Sequence, residues 1–144
     1  MFITVEQNGR KIKSRAWCFE AMCLIDDKRD RNVYEASIGA EDYLFDGRAD
    51  LSKCGYETEL RVCAELFEQY KKDVYESAKM PNRPSGGESR HITHLRELYS
   101  VLFELWGIMP SDVARQEPRL LFAALTPRDT EPQISTGVKS LYGL

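Results

Sequence analysis

The residue types best suited to chemistry in this chain are its two histidines, its four cysteines and one glycine-containing segment. His91 and His94 stand three positions apart, a spacing that places both imidazoles on one face of a helix. There they could share a metal ion with a third ligand such as Glu88 or Glu97. A metal-dependent hydrolase or nuclease using His91 and His94 is therefore one hypothesis. Two histidines near a helix start are more typical of a solvated surface, and no partner for acid–base work is legible.

The cysteines are interpreted as packing residues. Each lies among apolar or helical neighbours, and none forms the Cys-x2-Cys pair that zinc sites use. Free cysteine behaves as a small buried hydrophobe, and burial raises the pKa of a thiol and so lowers its reactivity. The sequence therefore predicts reduced, buried thiols at Cys18, Cys23, Cys54 and Cys63.

The segment at residues 84–89, Pro-Ser-Gly-Gly-Glu-Ser, resembles a phosphate-binding loop only in its glycines. It lacks the Gly-Lys-Ser/Thr ending of such loops and the Gly-x-Ser-x-Gly of a nucleophile elbow. An exposed connection between two helices is the simpler interpretation. Taken together, these motifs predict no catalytic residue, no cofactor-binding residue and no metal ligand.

Composition limits the classes of partner. The formal net charge is −3 and the isoelectric point is near 5.5, which argues against a duplex nucleic-acid binder because those proteins usually carry a basic excess. No apolar run approaches the roughly 20 residues that a membrane span needs. The amino end also lacks a charged start followed by an apolar signal core. We therefore expect a cytoplasmic protein that interacts with neither membrane nor nucleic acid.

The elements that position these residues are dominated by two amphipathic segments between residues 57 and 106. In both segments apolar residues recur at steps of three and four, which places them on one helical face. A breaker rich in proline and glycine at residues 80–87 separates the segments and predicts an antiparallel helical hairpin. The two stripes consist of Leu60, Cys63, Phe67, Tyr70 and Val74 in the first segment and of Ile92, Leu95, Tyr99, Leu102 and Trp106 in the second.

A small β-ribbon is predicted at the amino end. Asn8-Gly9 is the dipeptide best suited to the positive φ angles of a type I′ turn, and β-prone residues flank it on both sides. Ser14 is predicted to cap a following helix. Towards the carboxyl end, Gly107 suits a helix end. Residues 110–113 are predicted to start a short helix with Ser111 as its cap, and Pro118 suits the first turn of another.

These features predict a mainly α protein of the α+β class: a two-stranded ribbon, a helical body with the long hairpin, and short carboxyl-terminal helices. We expect one globular domain over residues 1–126, with the ribbon at 1–15 and the helical body at 16–126. Residues 127–144 are expected to form a flexible tail. Residues 32–55 are the least readable part, with one or two helical turns expected around residues 41–45.

A ribbon edge and an apolar tail tip are features of proteins that act by binding, since such surfaces dock into partner grooves. We therefore predict a protein partner, with homo-oligomerisation into rings or filaments as a further expectation. The candidate partner-binding residues are Phe2, Ile3, Val5 and Ile12 in the ribbon and Leu141, Tyr142 and Leu144 in the tail.

The order of these parts resembles the small tail-assembly chaperones of long-tailed bacteriophages. Those proteins often open with an Asn-Gly ribbon followed by a helix, as residues 2–11 do here, and continue into a helical body to which residues 59–78 are similar. Residues 98–113, with Trp106-Gly107-Ile108 followed by Pro110-Ser111, resemble a step in the carboxyl parts of such phage proteins. Residues 32–55 have no counterpart in that pattern.

The resemblance implies a non-enzymatic phage protein that keeps a tape-measure protein soluble and helps to recruit tail-tube subunits. It transfers no individual binding residue. Two alternatives stay open at this point: a small phage-encoded inhibitor or adaptor that binds one host protein, and the metal-dependent enzyme that would use the two histidines.

Overall fold

The computed structural model of the protein describes residues 1–77 and 94–125. In these residues a two-stranded antiparallel ribbon precedes a helical body, so the predicted mainly α fold of the α+β class is confirmed. The elements are β1 (Thr4–Gln7), β2 (Arg10–Lys13), α1 (Phe19–Asp26), α2 (Val33–Phe45), a 3₁₀ turn (Leu51–Lys53), α3 (Tyr56–Ser77), α4 (Glu97–Trp106), α5 (Pro110–Ala114) and α6 (Pro118–Leu125).

The ribbon forms where the sequence predicts it. Asn8 and Gly9 have φ angles of 54° and 75°, both in the left-handed region that a type I′ turn requires. The register places Val5 opposite Ile12 and Gln7 opposite Arg10. An isolated two-stranded ribbon is marginal in water, and this ribbon packs its apolar face, including Val5, against the helical body.

Helix α1 is the centre of the core. Its side chains at Phe19, Ala21, Met22, Cys23 and Ile25 are fully buried, and the helix contacts α2, α3 and α5. The helix begins at Phe19, not directly behind Ser14, so the predicted capping role of Ser14 is wrong. The Ser14 hydroxyl instead accepts the Ile3 N–H at 2.9 Å and donates to the Arg15 carbonyl at 2.8 Å, which fastens the ribbon to the next segment.

Helix α2 is longer than the one or two turns that the sequence indicates. It spans Val33–Phe45 and is capped by Asn32, whose side chain accepts the Glu35 N–H at 2.9 Å. Asp46, with a φ of 49°, ends it in the left-handed region. Small residues on its inner face, Ala36 and Ala40, allow close packing against α1 and α3.

The two long amphipathic segments contain the helices α3 and α4, but these helices do not pair mainly with each other. Helix α3 packs chiefly against α2 and α6, whereas α4 packs against α5 and contacts α1 through a T-shaped ring pair between Phe19 and Tyr99. Both helices of the predicted hairpin are present, and the breaker at residues 80–87 that joins them lies outside the described residues. Each apolar face finds its cover on α1, α2 or the carboxyl-terminal helices.

The buried stripe of α3 is also rotated from the predicted one. Val62, Cys63, Leu66 and Tyr70 are buried, while Leu60 is exposed and Phe67 is half-buried. Asp73 also lies in this buried stripe, near the carboxyl end of the helix, where it accepts a hydrogen bond from the indole N–H of Trp17. A search for apolar residues alone therefore assigns the wrong face of α3 to the core, because it does not count the buried position that Asp73 occupies.

Both carboxyl-terminal helices begin at a proline, but Met109 occupies the cap position of α5 and Ser111 lies inside that helix, so the predicted capping role of Ser111 is wrong. Gly107 ends α4 with a φ of 67°, and α5 and α6 start at Pro110 and Pro118. Val113 and Phe122 contribute to the core, and Phe122 lies edge-on to Phe19 with ring centroids 6.1 Å apart. The predicted tail at residues 127–144 lies outside the described residues.

Candidate partner-binding surface

The four ribbon residues predicted to bind a partner occupy different environments. Ile3 and Val5 are each 1% exposed and belong to the core, so the prediction that they contact a partner is wrong for this fold. Ile12 is half-buried against the same core. Phe2 is exposed, and the Lys13 ammonium lies 4.1 Å from the centre of its ring. Of these side chains, Phe2 alone presents most of its apolar surface to solvent.

The ribbon is also less open than an isolated hairpin would be. Arg61 of α3 donates from Nη2 to the Thr4 carbonyl at 2.9 Å, on the outer edge of β1. The Gln7 side chain accepts the Asp50 N–H at 2.8 Å. Lys11 and Lys13 lie in β2, and lysines on an edge strand oppose pairing with another strand. The ribbon is therefore a covered structural element more than an adhesive one.

The tail residues Leu141, Tyr142 and Leu144 lie outside the described residues, so their predicted contact with a partner stays a prediction.

A concentration of exposed apolar side chains occurs instead at the end of α4. Four large apolar residues within seven positions are between 37% and 52% exposed, and we call them the 103–109 surface. Leu98, Val101 and Leu102 on the other side of the helix are buried, so α4 is apolar on more of its circumference than its core contact requires. The surface consists of Phe103, Leu105, Ile108 and Met109.

The geometry of this surface is fixed by the end of the helix. Gly107 donates its N–H to the Phe103 carbonyl at 2.9 Å, and Ile108 donates to the Leu102 carbonyl at 3.4 Å. The Gly107 bond is the 5→1 hydrogen bond of a helix that ends in the left-handed conformation, and the Ile108 bond turns the chain back over the last turn. Ile108 and Met109 therefore lie beside the last turn of α4, which carries Phe103 and Leu105.

None of these four residues was among the predicted partner-binding residues, although the sequence carries a signal for two of them. Phe103 and Leu105 are apolar but fall outside the stripe formed by Leu95, Tyr99, Leu102 and Trp106. Apolar residues beyond the width of the core-facing stripe indicate either a second packing partner or an exposed patch.

The buried polar groups near α4 are engaged in structural contacts. Asp26 accepts the Tyr70 hydroxyl at 2.8 Å and the Leu95 N–H at 3.1 Å. Arg96 binds Glu20 through both terminal nitrogens, at 3.1 and 2.9 Å. Throughout residues 1–77 and 94–125, no buried side-chain nitrogen or oxygen lacks a hydrogen-bond partner. These contacts fasten α4 to α1.

The thiols are all free, and three of the four are buried; Cys54 is half-buried, which corrects the prediction for that residue. Burial raises the pKa of Cys63 to about 12, with a further contribution from the Glu41 carboxyl, which its thiol meets at 3.1 Å. Burial likewise raises the pKa of Cys18 and Cys23. The raised values keep these thiols protonated at neutral pH, so the arrangement does not supply a thiolate nucleophile.

His94 is exposed ahead of α4, in a cavity of about 410 Å³ that Asp27, Arg96, Glu97 and Ser100 also line. Asp27 is already bound to Arg96 at 2.7 Å. His91 lies outside the described residues, and within the part of the chain that the structure describes no three metal-binding side chains converge. Because His91 and the possible ligand Glu88 lie outside these residues, the metal hypothesis stays a prediction.

Comparison of the chain with protein-family models, with characterised proteins and with solved structures found no match. Among the described helices, none combines the length and apolarity needed to cross a bilayer.

Proposed function

We propose that this protein is a non-enzymatic binding protein that assists phage tail assembly, in the manner of the tail-assembly chaperones that its sequence resembles. Its client would be a tape-measure or tail-tube protein, which it would keep soluble in the host cytoplasm until assembly. The observation that carries the proposal is the 103–109 surface, because four large apolar side chains within seven positions of the chain are left in water there. Such a group is typical of a protein–protein contact.

The free energy gained by covering the 103–109 surface suits a reversible contact. Full burial of a large apolar side chain is worth about 1.5–3 kcal/mol, so covering four half-exposed ones contributes about 4 kcal/mol. Association costs several kcal/mol in lost freedom of motion, which leaves one such contact weak. A long client could bind several copies at once, or copies could associate with one another, and either arrangement would raise the overall affinity.

The polar interior supports the non-enzymatic part of the proposal. The buried carboxylates Asp26 and Asp73 accept hydrogen bonds from Tyr70 and Trp17, and Glu20 holds Arg96. A general acid or base must reach the substrate, and these groups are instead committed to joining helices.

Co-expression with the tape-measure or tail-tube protein encoded beside this gene tests the proposal. We expect the wild-type protein to raise the soluble fraction of that client and Phe103→Ser/Met109→Ser to lose most of this effect. The matched control is Tyr56→Ser/Leu120→Ser, which removes one aromatic and one aliphatic side chain that are at least as exposed elsewhere. It should behave as wild type.

Equal client solubility with and without the protein would contradict the chaperone proposal. Tight binding of a single host protein, with no effect on any tail protein, would favour the inhibitor or adaptor hypothesis instead. Loss of a metal-dependent activity in His91→Ala/His94→Ala would contradict the non-enzymatic assignment.

A further inference from the structure

A cavity of about 320 Å³ opens on the side of the protein where the ribbon joins the helical body. It is lined by residues from three separated parts of the chain, namely the segment before α1, the last turn of α2 and the residue after α5. The lining residues are Arg15, Ala16, Cys18, Tyr43 and Arg115.

The lining carries two cations and no carboxylate. Arg15 binds Asp46 at 2.6 Å, and its guanidinium lies 5.6 Å from the centre of the Tyr43 ring. For Arg115, residues 1–77 and 94–125 provide no ion-pair partner, and its side chain is exposed. Among the described residues, the Arg15 guanidinium is therefore already compensated by Asp46, whereas the Arg115 guanidinium has no such carboxylate beside it.

The position of Arg115 is fixed by its neighbours. The Phe19 N–H at the start of α1 donates to the Gln116 carbonyl at 2.8 Å, which joins the turn after α5 to the beginning of α1. Gln116 also donates its own N–H to the Val113 carbonyl at 3.0 Å, and Val113 is buried. The backbone that carries Arg115 is thus held beside Cys18, at the edge of the cavity.

The remaining lining groups are neutral. Burial raises the pKa of both Cys18 and Tyr43, so the thiol and the phenol stay protonated at neutral pH. The Tyr43 ring, the Cys18 thiol and Ala16 provide an apolar wall, and the Tyr43 hydroxyl provides a neutral polar group. Two guanidinium groups beside an apolar wall suit a carboxylate carried on a short aliphatic stem, as in glutamate.

We propose that this cavity binds a carboxylate side chain from an acidic segment of a protein partner, with Arg115 as the main ion-pair partner. Arg15 supplies a second, weaker contact because Asp46 competes for it, and the Tyr43 ring packs on the aliphatic stem. Under the proposed function the partner is the client, so this inference rests on that proposal and adds the chemistry of a second contact beside the 103–109 surface. A second contact would strengthen a complex that one apolar surface leaves weak.

Fluorescence anisotropy with a fluorescein-labelled hexapeptide of glutamate and leucine tests the inference on the full-length protein. We expect the wild type to bind this peptide and to bind its glutamine-for-glutamate counterpart much more weakly. Arg115→Gln should weaken binding about tenfold, the usual worth of one charge-assisted hydrogen-bonded contact. Arg10→Gln removes the same charge from an exposed arginine of β2 and should weaken binding less than about twofold. Circular dichroism checks that both variants are folded.

Equal weakening by the two variants would show attraction to net charge and would overturn the cavity assignment. So would failure of the folded wild type to bind the glutamate peptide, whether or not inorganic phosphate binds at Arg115. The two proposals can fail separately. If the wild-type protein keeps the client soluble but does not bind the peptide, only the cavity proposal is contradicted. If the peptide binds and binding depends on Arg115 but client solubility does not change, only the chaperone proposal is contradicted.

Discussion

At the scale of single residues, the buried carboxyl of Glu41 makes the stability of the protein depend on pH. Glu41 is 7% exposed at the contact of α2 and α3, where the Cys63 thiol meets it at 3.1 Å. Burial raises its pKa from an ordinary 4.5 to about 7, with smaller contributions from the neighbouring charges of Asp42 and Glu59. Because the folded state holds this proton more tightly than the unfolded chain does, the stabilisation is complete below about pH 4.5 and is lost as the pH rises through 7.

Glu41→Gln is therefore expected to stabilise the protein at pH 8 and to change little at pH 4.5. One pKa unit corresponds to about 1.4 kcal/mol, and partial solvation of the carboxylate reduces the expected gain at pH 8 to about 1–2 kcal/mol. Urea unfolding of both proteins across this pH range measures the difference. Glu57→Gln, which changes an exposed carboxylate of α3, is the control. A fall in stability with pH that is identical in wild type and Glu41→Gln would contradict the assignment.

The buried carboxylate of Asp73 stabilises the fold through a hydrogen bond with Trp17. It is 1% exposed and accepts the Trp17 indole N–H at 2.5 Å. Asp73→Ala leaves that N–H buried without its acceptor, and we expect a loss of about 1–3 kcal/mol in the free energy of unfolding. Asp73→Asn keeps an acceptor oxygen and should lose less.

Denaturant unfolding followed by tryptophan fluorescence measures both Asp73 variants. Asp30→Ala, an exposed carboxylate in the turn after α1, should stay within about 0.5 kcal/mol of wild type. If Asp73→Ala were as stable as Asp30→Ala, the indole contact would not contribute to stability.

At the scale of elements, the attachment of α4 to α1 depends on one charged group. Arg96 binds Glu20 through two nitrogens and donates from Nε to Asp27 at 2.9 Å, while the Tyr99 hydroxyl donates to Glu20 at 3.0 Å. A bidentate contact of this kind is stronger than a single exposed ion pair. Because Arg96 is about 40% exposed, solvent screening still reduces its contribution.

A double-mutant cycle with Arg96→Gln and Glu20→Gln should give a coupling free energy of about 1 kcal/mol that weakens in 1 M salt. Arg31 and Glu35, an exposed pair at 3.6 Å, provide the matched control cycle with an expected coupling below about 0.5 kcal/mol. Thermal unfolding of the single and double variants provides the values. A coupling no larger than that of the control pair would contradict the role of Arg96 in holding α4.

Elements whose signal is local were predictable from the sequence. Asn8-Gly9 set the turn of the ribbon, Gly107 the end of α4, and Pro110 and Pro118 the starts of α5 and α6. In each case the backbone angles that the residue prefers are the ones that the element needs. Asn32, with Glu35 three positions later, carried the same kind of signal for α2, which the sequence interpretation missed.

Which helices pack together was not predictable in the same way. An apolar stripe shows that a helix face needs cover, but it does not identify the helix that covers it. The stripe of α3 meets α2 and α6, and small side chains such as Ala36 and Ala40 permit that contact without a strong apolar signal of their own. Asp73 adds a polar residue to the stripe. Its hydrogen-bond partner, Trp17, is 56 positions away in the sequence, so a pattern within α3 alone does not reveal that Asp73 is buried.

At the scale of the whole molecule, the sequence predicted the kind of site, a protein-binding surface, but not the residues that form it. The expectation of a protein-binding surface stays a prediction, and of the ribbon residues assigned to it the structure buries Ile3 and Val5. The 103–109 surface depends on which part of α4 the core leaves uncovered. The cavity at Arg115 depends on residues 15, 43 and 115 coming together in the fold. Both follow from tertiary packing, which apolar periodicity alone does not specify.

Binding of a client should change the solvent exposure of the protein at one place, the end of α4. If the 103–109 surface is the principal contact, the binding free energy must come from its apolar side chains, and solvent must leave the end of α4 when the client binds. The ribbon, whose Ile3 and Val5 already pack in the core, should keep the same solvent exposure.

Amide hydrogen exchange of the protein with and without its co-purified tape-measure or tail-tube client tests this claim most directly. We expect binding to slow exchange over residues 98–110 and to leave residues 3–14 unchanged. A stable complex whose protection falls on the ribbon or on α3, with residues 98–110 exchanging as in the free protein, would contradict the account.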